Sequence, residues 1–254
     1  MLTPVAPLIQ SPIIFEKTII PDEFGLVCWN IQKKNLKKKF APLIQDWKKT
    51  YRLDLILLQE AKFSPTLLSI AGFPFVGAAN IRLPRHFSGV VTAAGADPFS
   101  SQFQMTRARE ALISTRKNTL ITLYQFKNKD LLMVVNIHAI NFRSLAWYQW
   151  ELSQLYELIK GHCGPMILAG DFNCWRQSRK TILDAITNQL NLEHAQPRDP
   201  HHIKEWFGFQ LDRVYTRGLG LIDIQALDCK AFSDHNPIIA RFSRAADFRQ
   251  AASV

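Results

Sequence analysis

The feature that most constrains this chain is a set of short apolar runs, rich in branched residues, that each end abruptly in polar side chains. Val27-Cys28-Trp29 runs into Asn30, and Leu55-Ile56-Leu57-Leu58 into Gln59 and Glu60. Val134-Val135-Asn136-Ile137 leads to His138 and then Asn141, and Met166-Ile167-Leu168-Ala169-Gly170 to Asp171 and Asn173. A fifth polar cluster, Ser233-Asp234-His235-Asn236-Pro237, stands just before the apolar Ile238-Ile239-Ala240. Continuous rather than alternating apolar runs of this length read as strands covered on both faces, which demands layers on either side of a sheet. One strand ending in a carboxylate merely marks the return to solvent. Several ending in Asn, Glu, His and Asp point to a site where strand ends converge.

The same reasoning predicts strands over Phe24–Ile31, Asp54–Leu58, Gly89–Ala93, Ala111–Thr115, Leu120–Phe126, Leu131–Ile137, Met166–Ala169, Asp212–Tyr215, Leu221–Ala226 and Pro237–Phe242. Three segments carry helical period instead. Phe40, Leu43, Ile44 and Trp47 share a face between Leu36 and Thr50. Leu145, Tyr148, Leu152, Leu155 and Ile159 share another, with Ser144 as N-cap, and Ile182, Ala185, Ile186 and Leu190 give a third. With 47% hydrophobic residues in 254, the chain can bury a large core, and it carries no repeat or Gly/Ser linker. The reading is one layered α/β domain over 24–243, with paired sheets inside and helices outside. Residues 1–23 form an N-terminal extension and 244–254 a C-terminal tail. Cys28, Cys163, Cys174 and Cys229 have no zinc-like spacing and fit a reducing compartment. The start of the chain lacks the pattern of a signal peptide, and no stretch is long enough to span a membrane. A cytoplasmic protein with no obligate protein partner is the expectation.

The polar residues make chemical sense together. Carboxylates and amide oxygens are the hard ligands preferred by Mg²⁺ or Mn²⁺, which needs only one or two protein carboxylates. Glu60 suffices as an anchor, helped by Asn30 or Asp234. A histidine beside an acid can move a proton near neutral pH, and an amide such as Asn173 can donate to a phosphate as its charge develops. The net charge of +10 favours an anionic partner, nucleic acid or an anionic membrane. Lys33, Lys34 and Lys37, with Lys38 and Lys39, read either as the solvated face of the first helix or as a phosphate-tracking patch. Trp175 and Trp206 read either as packing or as platforms for bases. His201-His202 reads as a surface loop, and Glu110 as a partner of Arg107 or Arg109 unless it serves a histidine.

In chain order, Asn30, Gln59-Glu60, His138, Gly170-Asp171-Phe172-Asn173, Leu211-Asp212-Arg213-Val214-Tyr215 and Ser233-Asp234-His235 resemble the endonuclease/exonuclease/phosphatase superfamily. The stretches Ser88–Thr92, Val134–Phe142 and Ala231–Pro237 resemble its bacterial YafD-like branch. The resemblance implies a four-layer α/β sandwich in which two packed mixed β-sheets are flanked by helices. It also implies roles. Glu60 resembles the metal-binding glutamate, with Asn30 beside it and Asp234 near the ion; Asp171 orients or deprotonates the attacking water and Asn173 supports the phosphate. His235 faces the phosphate, oriented by Asp212, and His138 is a second phosphate-facing histidine paired with Glu110. The expected activity is metal-dependent phosphodiester hydrolysis, with nucleic acid as the substrate. The rival enzymatic reading is a phospholipid or inositol-phosphate hydrolase, whose apolar membrane loop would come from Ile81–Phe103 with Phe87 and Phe99. A binding protein on a retired hydrolase fold would have lost a metal ligand or His235, and neither is lost.

Overall fold

The computed structural model describes residues 3–4, 7–13, 17–110 and 115–244. In chain order the elements are β1 (Thr3–Pro4), β2 (Leu8–Gln10), β3 (Glu23–Asn30), α1 (Phe40–Tyr51), β4 (Leu53–Phe63), β5 (Phe75–Arg82), β6 (Phe87–Ala94) and β7 (Ser100–Met105). Next come β8 (Asn118–Gln125), β9 (Leu131–His138), α2 (Leu145–Ile159), β10 (Met166–Asp171), α3 (Gln177–Gln189) and β11 (Glu193–His194). A short 3₁₀ turn over Pro200–His202 precedes β12 (Glu205–Trp206), β13 (Phe209–Gln210), β14 (Asp212–Arg217), β15 (Leu219–Ala226) and β16 (Ile238–Arg244).

Two mixed sheets result. The first runs β1-β5-β6-β4-β3-β16-β15, with β2 also on β5, and the second runs β11-β14-β10-β9-β8-β7. The parallel pairs are β3 with β4 in the first sheet and β9 with β10 in the second. The apolar runs are continuous because alternate residues serve different cores. Leu26, Cys28, Leu55 and Leu57 pack between the sheets against Val134, Ile167, Ala169 and Val214. Their neighbours Val27, Trp29, Ile56 and Leu58 face outward onto Phe40, Ile44 and Trp47 of α1. Val135, Ile137 and Leu168 meet Tyr148, Leu152 and Leu155 of α2 and Leu183 and Ile186 of α3 on the opposite outer face. The order helix, sheet, sheet, helices is the expected four-layer sandwich. Truncating a leucine such as Leu57, fully buried between the sheets, costs about 2–5 kcal/mol by the usual cavity relation. Ser144 caps α2 as expected, its Oγ accepting from the Trp147 N–H at 3.4 Å.

Several expectations need correction. β5 and β7 were not among the predicted strands. β5 (FVGAANIR) is poor in branched residues yet nearly all buried, and β7 (SSQFQM) is a polar strand at a sheet edge. Residues 111–114 of the strand expected over Ala111–Thr115 lie outside the described residues, as do 245–254 of the tail. The N-terminal extension contributes β1 and β2 to the edge of the first sheet. The first helix begins at Phe40, and residues 31–39 form a chain of turns. Finally, Ile81–Phe103 is mostly strand: Phe87 is half-buried and its ring lies 6.4 Å from that of Phe63, leaving Phe99 as the exposed phenylalanine of the stretch. No helix among the described residues is long and apolar enough to cross a membrane.

Candidate active site

Register explains why the polar strand ends meet. In the first sheet Asn30 stands opposite Gln59, and in the second Asp171 stands opposite His138 on one side and Asp212 on the other. Each sheet therefore delivers a row of polar residues at one end of the sandwich. A buried amide pair bolts the rows together: Gln59 Nε2 donates to Asn136 Oδ1 at 2.7 Å, and Asn136 Nδ2 donates to the Val91 carbonyl at 2.8 Å.

Local backbone shapes aim the side chains. Glu60 has φ 53° and sits where the pairing of β4 with β6 slips between Leu58 and Ala61. Such a bulge re-aims a side chain, and it turns this carboxylate into the cleft. Gly170 has φ +148°, and a Cβ there would meet the Ile137 carbonyl oxygen at 1.9 Å, so glycine is required where β10 presses on β9. Asn173, at φ 47°, folds back: its N–H donates to Asp171 Oδ1 at 2.9 Å and its Nδ2 to the Ala139 carbonyl at 2.9 Å.

The cleft, of about 270 Å³, is bordered by Asn30, Glu60, Glu110, His138, Asp171, Asn173 and His235. At its floor Asp171 Oδ2 accepts from Asn30 Nδ2 at 3.0 Å, with His138 Nε2 at 3.6 Å and His235 Nε2 at 3.9 Å. His235 Nδ1 donates to Asp212 Oδ2 at 2.7 Å. Its backbone is fixed by the Trp29 indole N–H on the His235 carbonyl at 2.7 Å, and the Ser233 hydroxyl donates to the Asn30 carbonyl at 2.7 Å. Burial would pull the His235 imidazolium down, but Asp212 and then Asp171 lift it to about 9. His138 goes the other way: burial, then Lys117, push it down to about 3. For Glu60, burial would raise the carboxyl, but His138, Lys117 and Lys33 together hold it at about 2. The two histidines thus differ in kind, one cationic and one neutral at pH 7.

Lys117, absent from the residues singled out in the sequence, stands at the centre. Its Nζ lies 3.0 Å from His138 Nε2, 3.5 Å from Glu110 Oε2 and 3.9 Å from Glu60 Oε1. The expected direct pairing of Glu110 with His138 is replaced by this lysine, which bridges them; Arg107 and Arg109 are not Glu110's partners either. Asp234 is a further correction: its carboxylate is half-exposed and pairs with Lys204, and it is not part of the cleft lining. Lys33 reaches Glu60 Oε2 at 2.7 Å, Lys34 binds the Gln32 side chain at 3.1 Å, and Lys37 is exposed on the turns that lead away from Asn30. These lysines therefore lie on a loop at the cleft rather than on a helix face. Trp206 borders the cleft and its ring lies 5.6 Å from Phe142 and 5.6 Å from Phe207. Trp175 is a buttress: its indole N–H binds Asn141 Oδ1 at 2.9 Å, and the guanidinium groups of Arg179 and Arg176 lie 4.8 and 5.0 Å from its ring. The fully buried Arg179 donates to the carbonyls of Ile140, Asn173 and Arg143, tying together the loops that follow β9 and β10.

A divalent cation fits the donors at Glu60. Its carboxylate is attended by the ammonium groups of the half-exposed Lys33 and of Lys117, and Asn30 Oδ1 keeps only a long 3.3 Å contact from the Gln32 N–H. Asp171, Asp212 and His235 also bring three ligand atoms within 4.8 Å of one another. There the His235–Asp212 hydrogen bond takes up Nδ1 and Oδ2, which leaves His235 Nε2 and Asp212 Oδ1 as the donors of that set, beside the separate pair of Glu60 and Asn30.

Two packed mixed sheets with carboxylates, amides and histidines gathered at one end define a fold of the phosphodiesterase and nuclease type. The chain belongs to the endonuclease/exonuclease/phosphatase family, whose model matches residues 27–235. It is 37% identical over 221 residues to a UPF0294 protein of Yersinia pseudotuberculosis, covering 85% of this chain and 82% of that one. It is 34% identical over 245 residues to a UPF0294 protein of Erwinia tasmaniensis, covering 95% and 85%. Among solved structures, the human Nocturnin catalytic domain with bound sulfate superposes with a TM-score of 0.61 at 18% identity, covering 94% of this chain and 97% of that one. The AP endonuclease of Leishmania major gives a TM-score of 0.59 at 14% identity, covering 88% of each.

Proposed function

We propose that the protein is a divalent-metal-dependent phosphodiester hydrolase acting on nucleic acid by in-line attack of an activated water. The observation that carries this reading is the floor of the cleft. Asp171 is held rigidly by Asn30 and by the Asn173 N–H, and both His138 Nε2 and His235 Nε2 lie within 4 Å of its Oδ2. In this reading Asp171 orients the water and takes its proton. His235, kept cationic by Asp212, donates from Nε2 to a phosphate oxygen, and Asn173 supports the phosphate with it. His138 accepts from Lys117 on Nε2, which puts its ring proton on Nδ1 and keeps it from competing for the role of acid. Glu60, with Asn30, would hold Mg²⁺ or Mn²⁺, which when bound neutralises charge on the phosphate and the leaving oxygen.

Nucleic acid is favoured over lipid by three features. The chain is strongly basic, Lys33, Lys34 and Lys37 lie on the loop leaving Asn30, and Trp206 with Phe142 offers aromatic surface at the cleft mouth. One neighbour in fold is an AP endonuclease and another, zebrafish TDP2, was solved with a single-strand DNA product. The membrane reading needs an exposed apolar loop, whereas Ile81–Phe103 is mostly strand and exposes Phe99 between β6 and β7. The test is a panel of DNA, RNA, phosphoinositide and sphingomyelin substrates with Mg²⁺ and with excess EDTA. Cleavage of DNA or RNA that stops in EDTA is expected. Turnover of lipid alone overturns the substrate, and full activity in EDTA overturns the metal.

A further inference from the structure

We propose that Lys117 is a resident second cation of the cleft, so that the protein binds one divalent ion where other phosphoryl-transfer sites bind two. The inference rests on the metal-dependent reading above. In two-metal sites the ions lie about 3.5–4 Å apart and share bridging carboxylates. Here the ammonium of Lys117 lies among Glu60, Glu110 and His138, at 3.9, 3.5 and 3.0 Å.

Its position is built in. The lysine side chain is 9% exposed, whereas that of Lys33, the other cation on Glu60, is 37% exposed. Reciprocal hydrogen bonds fix its backbone at the start of β8: the Lys117 N–H donates to Thr106 Oγ1 at 2.9 Å, and the Thr106 N–H donates to the Lys117 carbonyl at 2.8 Å.

An inventory of donors gives the same answer. A second ion would need ligands beyond Glu60 and Asn30. Glu110 spends one oxygen on the Asn141 N–H at 2.9 Å and the other on Lys117, and His138 Nε2 faces Lys117. The set of Asp171, Asp212 and His235 stands apart from this one, tied by the His235 Nδ1 bond to Asp212 Oδ2 and by Asn173 and Asn30 on Asp171, while the contacts of Lys117 are with Glu60, Glu110 and His138. Removing the ammonium would release Glu110 and His138 together, beside Glu60, as a second set of metal donors. The lysine thus sets the ion count beside Glu60.

The probe is Mn²⁺ alone, counted on the full chain by isothermal titration and by the loss of free-ion electron paramagnetic resonance signal. The wild type is expected to take up one ion. Lys117→Met is expected to take up two, or to bind the first at least about tenfold more tightly, since a like charge close by has gone. Lys117→Arg, which keeps the charge, is expected to stay at one. Two ions on the wild type overturn the proposal whether or not the methionine variant folds. One ion on both wild type and Lys117→Met, with equal affinity, also overturns it while leaving the metal-dependent reading intact. No Mn²⁺ uptake by the wild type overturns that reading and the proposal with it.

Discussion

Replacing Asp212 with asparagine tests the His235–Asp212 pair by its thermodynamics as well as by its chemistry. In the folded chain His235 is lifted from its ordinary 6.5 to about 9: burial opposes the cation, and Asp212 at 2.7 Å followed by Asp171 more than compensates. A basic group raised on folding stabilises the fold while it is protonated. That contribution is complete below about pH 6.5 and disappears as pH rises through about 9. The gap between the two values corresponds to about 3 kcal/mol at full development. For a chain of this length, such a loss lowers the melting temperature by about 6–10 °C. Asp212→Asn should therefore melt that much earlier than wild type at pH 6. Above about pH 9.5 the difference should close or reverse, because a buried carboxylate without its cation is then worse than an amide. Melting curves from pH 5 to 10, with the His235 ring titrated by NMR, measure both sides. In turnover, the alkaline limb near pH 9 should move acidward in the variant. A melting difference that ignores pH would refute the argument, since it would mean lost packing and not a lost charge pair.

Other perturbations address other parts of the cleft. Glu60→Gln should reduce hydrolysis of a small chromogenic phosphodiester by about a hundredfold or more with its melting curve little changed; unchanged turnover would remove Glu60 from the metal site. Changing Lys33, Lys34 and Lys37 together to glutamine should flatten the log-affinity against log-salt slope for a nuclease-resistant oligonucleotide by up to about three. An unaltered slope would return them to the solvated surface. Arg179→Ala leaves the carbonyls of Ile140, Asn173 and Arg143 without their donor, and should cost about 3 kcal/mol or more in urea unfolding. Its kcat should fall while Mn²⁺ affinity holds, because the loops move and Glu60 does not. Trp206→Ala should weaken single-stranded oligonucleotide binding by about 1–3 kcal/mol if a base stacks there.

The layers were legible in the sequence because apolar strands covered on both faces leave an unmistakable run, and a polar residue at the end of such a run says where the run meets solvent. Asn30, Glu60, His138 and Asp171 all carry that mark. Lys117 could not be read this way. It precedes an antiparallel strand, and Arg116-Lys117-Asn118 looks like any polar loop until β8 is paired with β9. Arg179 is hidden similarly in the polar opening of α3, Gln177-Ser178-Arg179-Lys180. Asp234, which the resemblance implied near the ion, pairs instead with Lys204, a partner that no spacing in the sequence could announce. The edge strand β7 and the glycine- and alanine-rich β5 were missed because their place in a sheet is set by partners, not by their own composition.

The Gln59–Asn136 amide clamp joins two sheets that each own half of the chemistry: Asn30 and Glu60 on one side, His138, Asp171 and Asp212 on the other. Neither half can be poised alone, so no fragment containing one sheet should retain hydrolysis. Sliding the sheets by a single residue would carry the proposed ion anchor, Glu60, away from Asp171 by about 3.3 Å. Assembly of the reaction centre is thus inseparable from the docking of the two sheets. Residual turnover through a denaturant titration becomes a head count of molecules whose sheets are still in register.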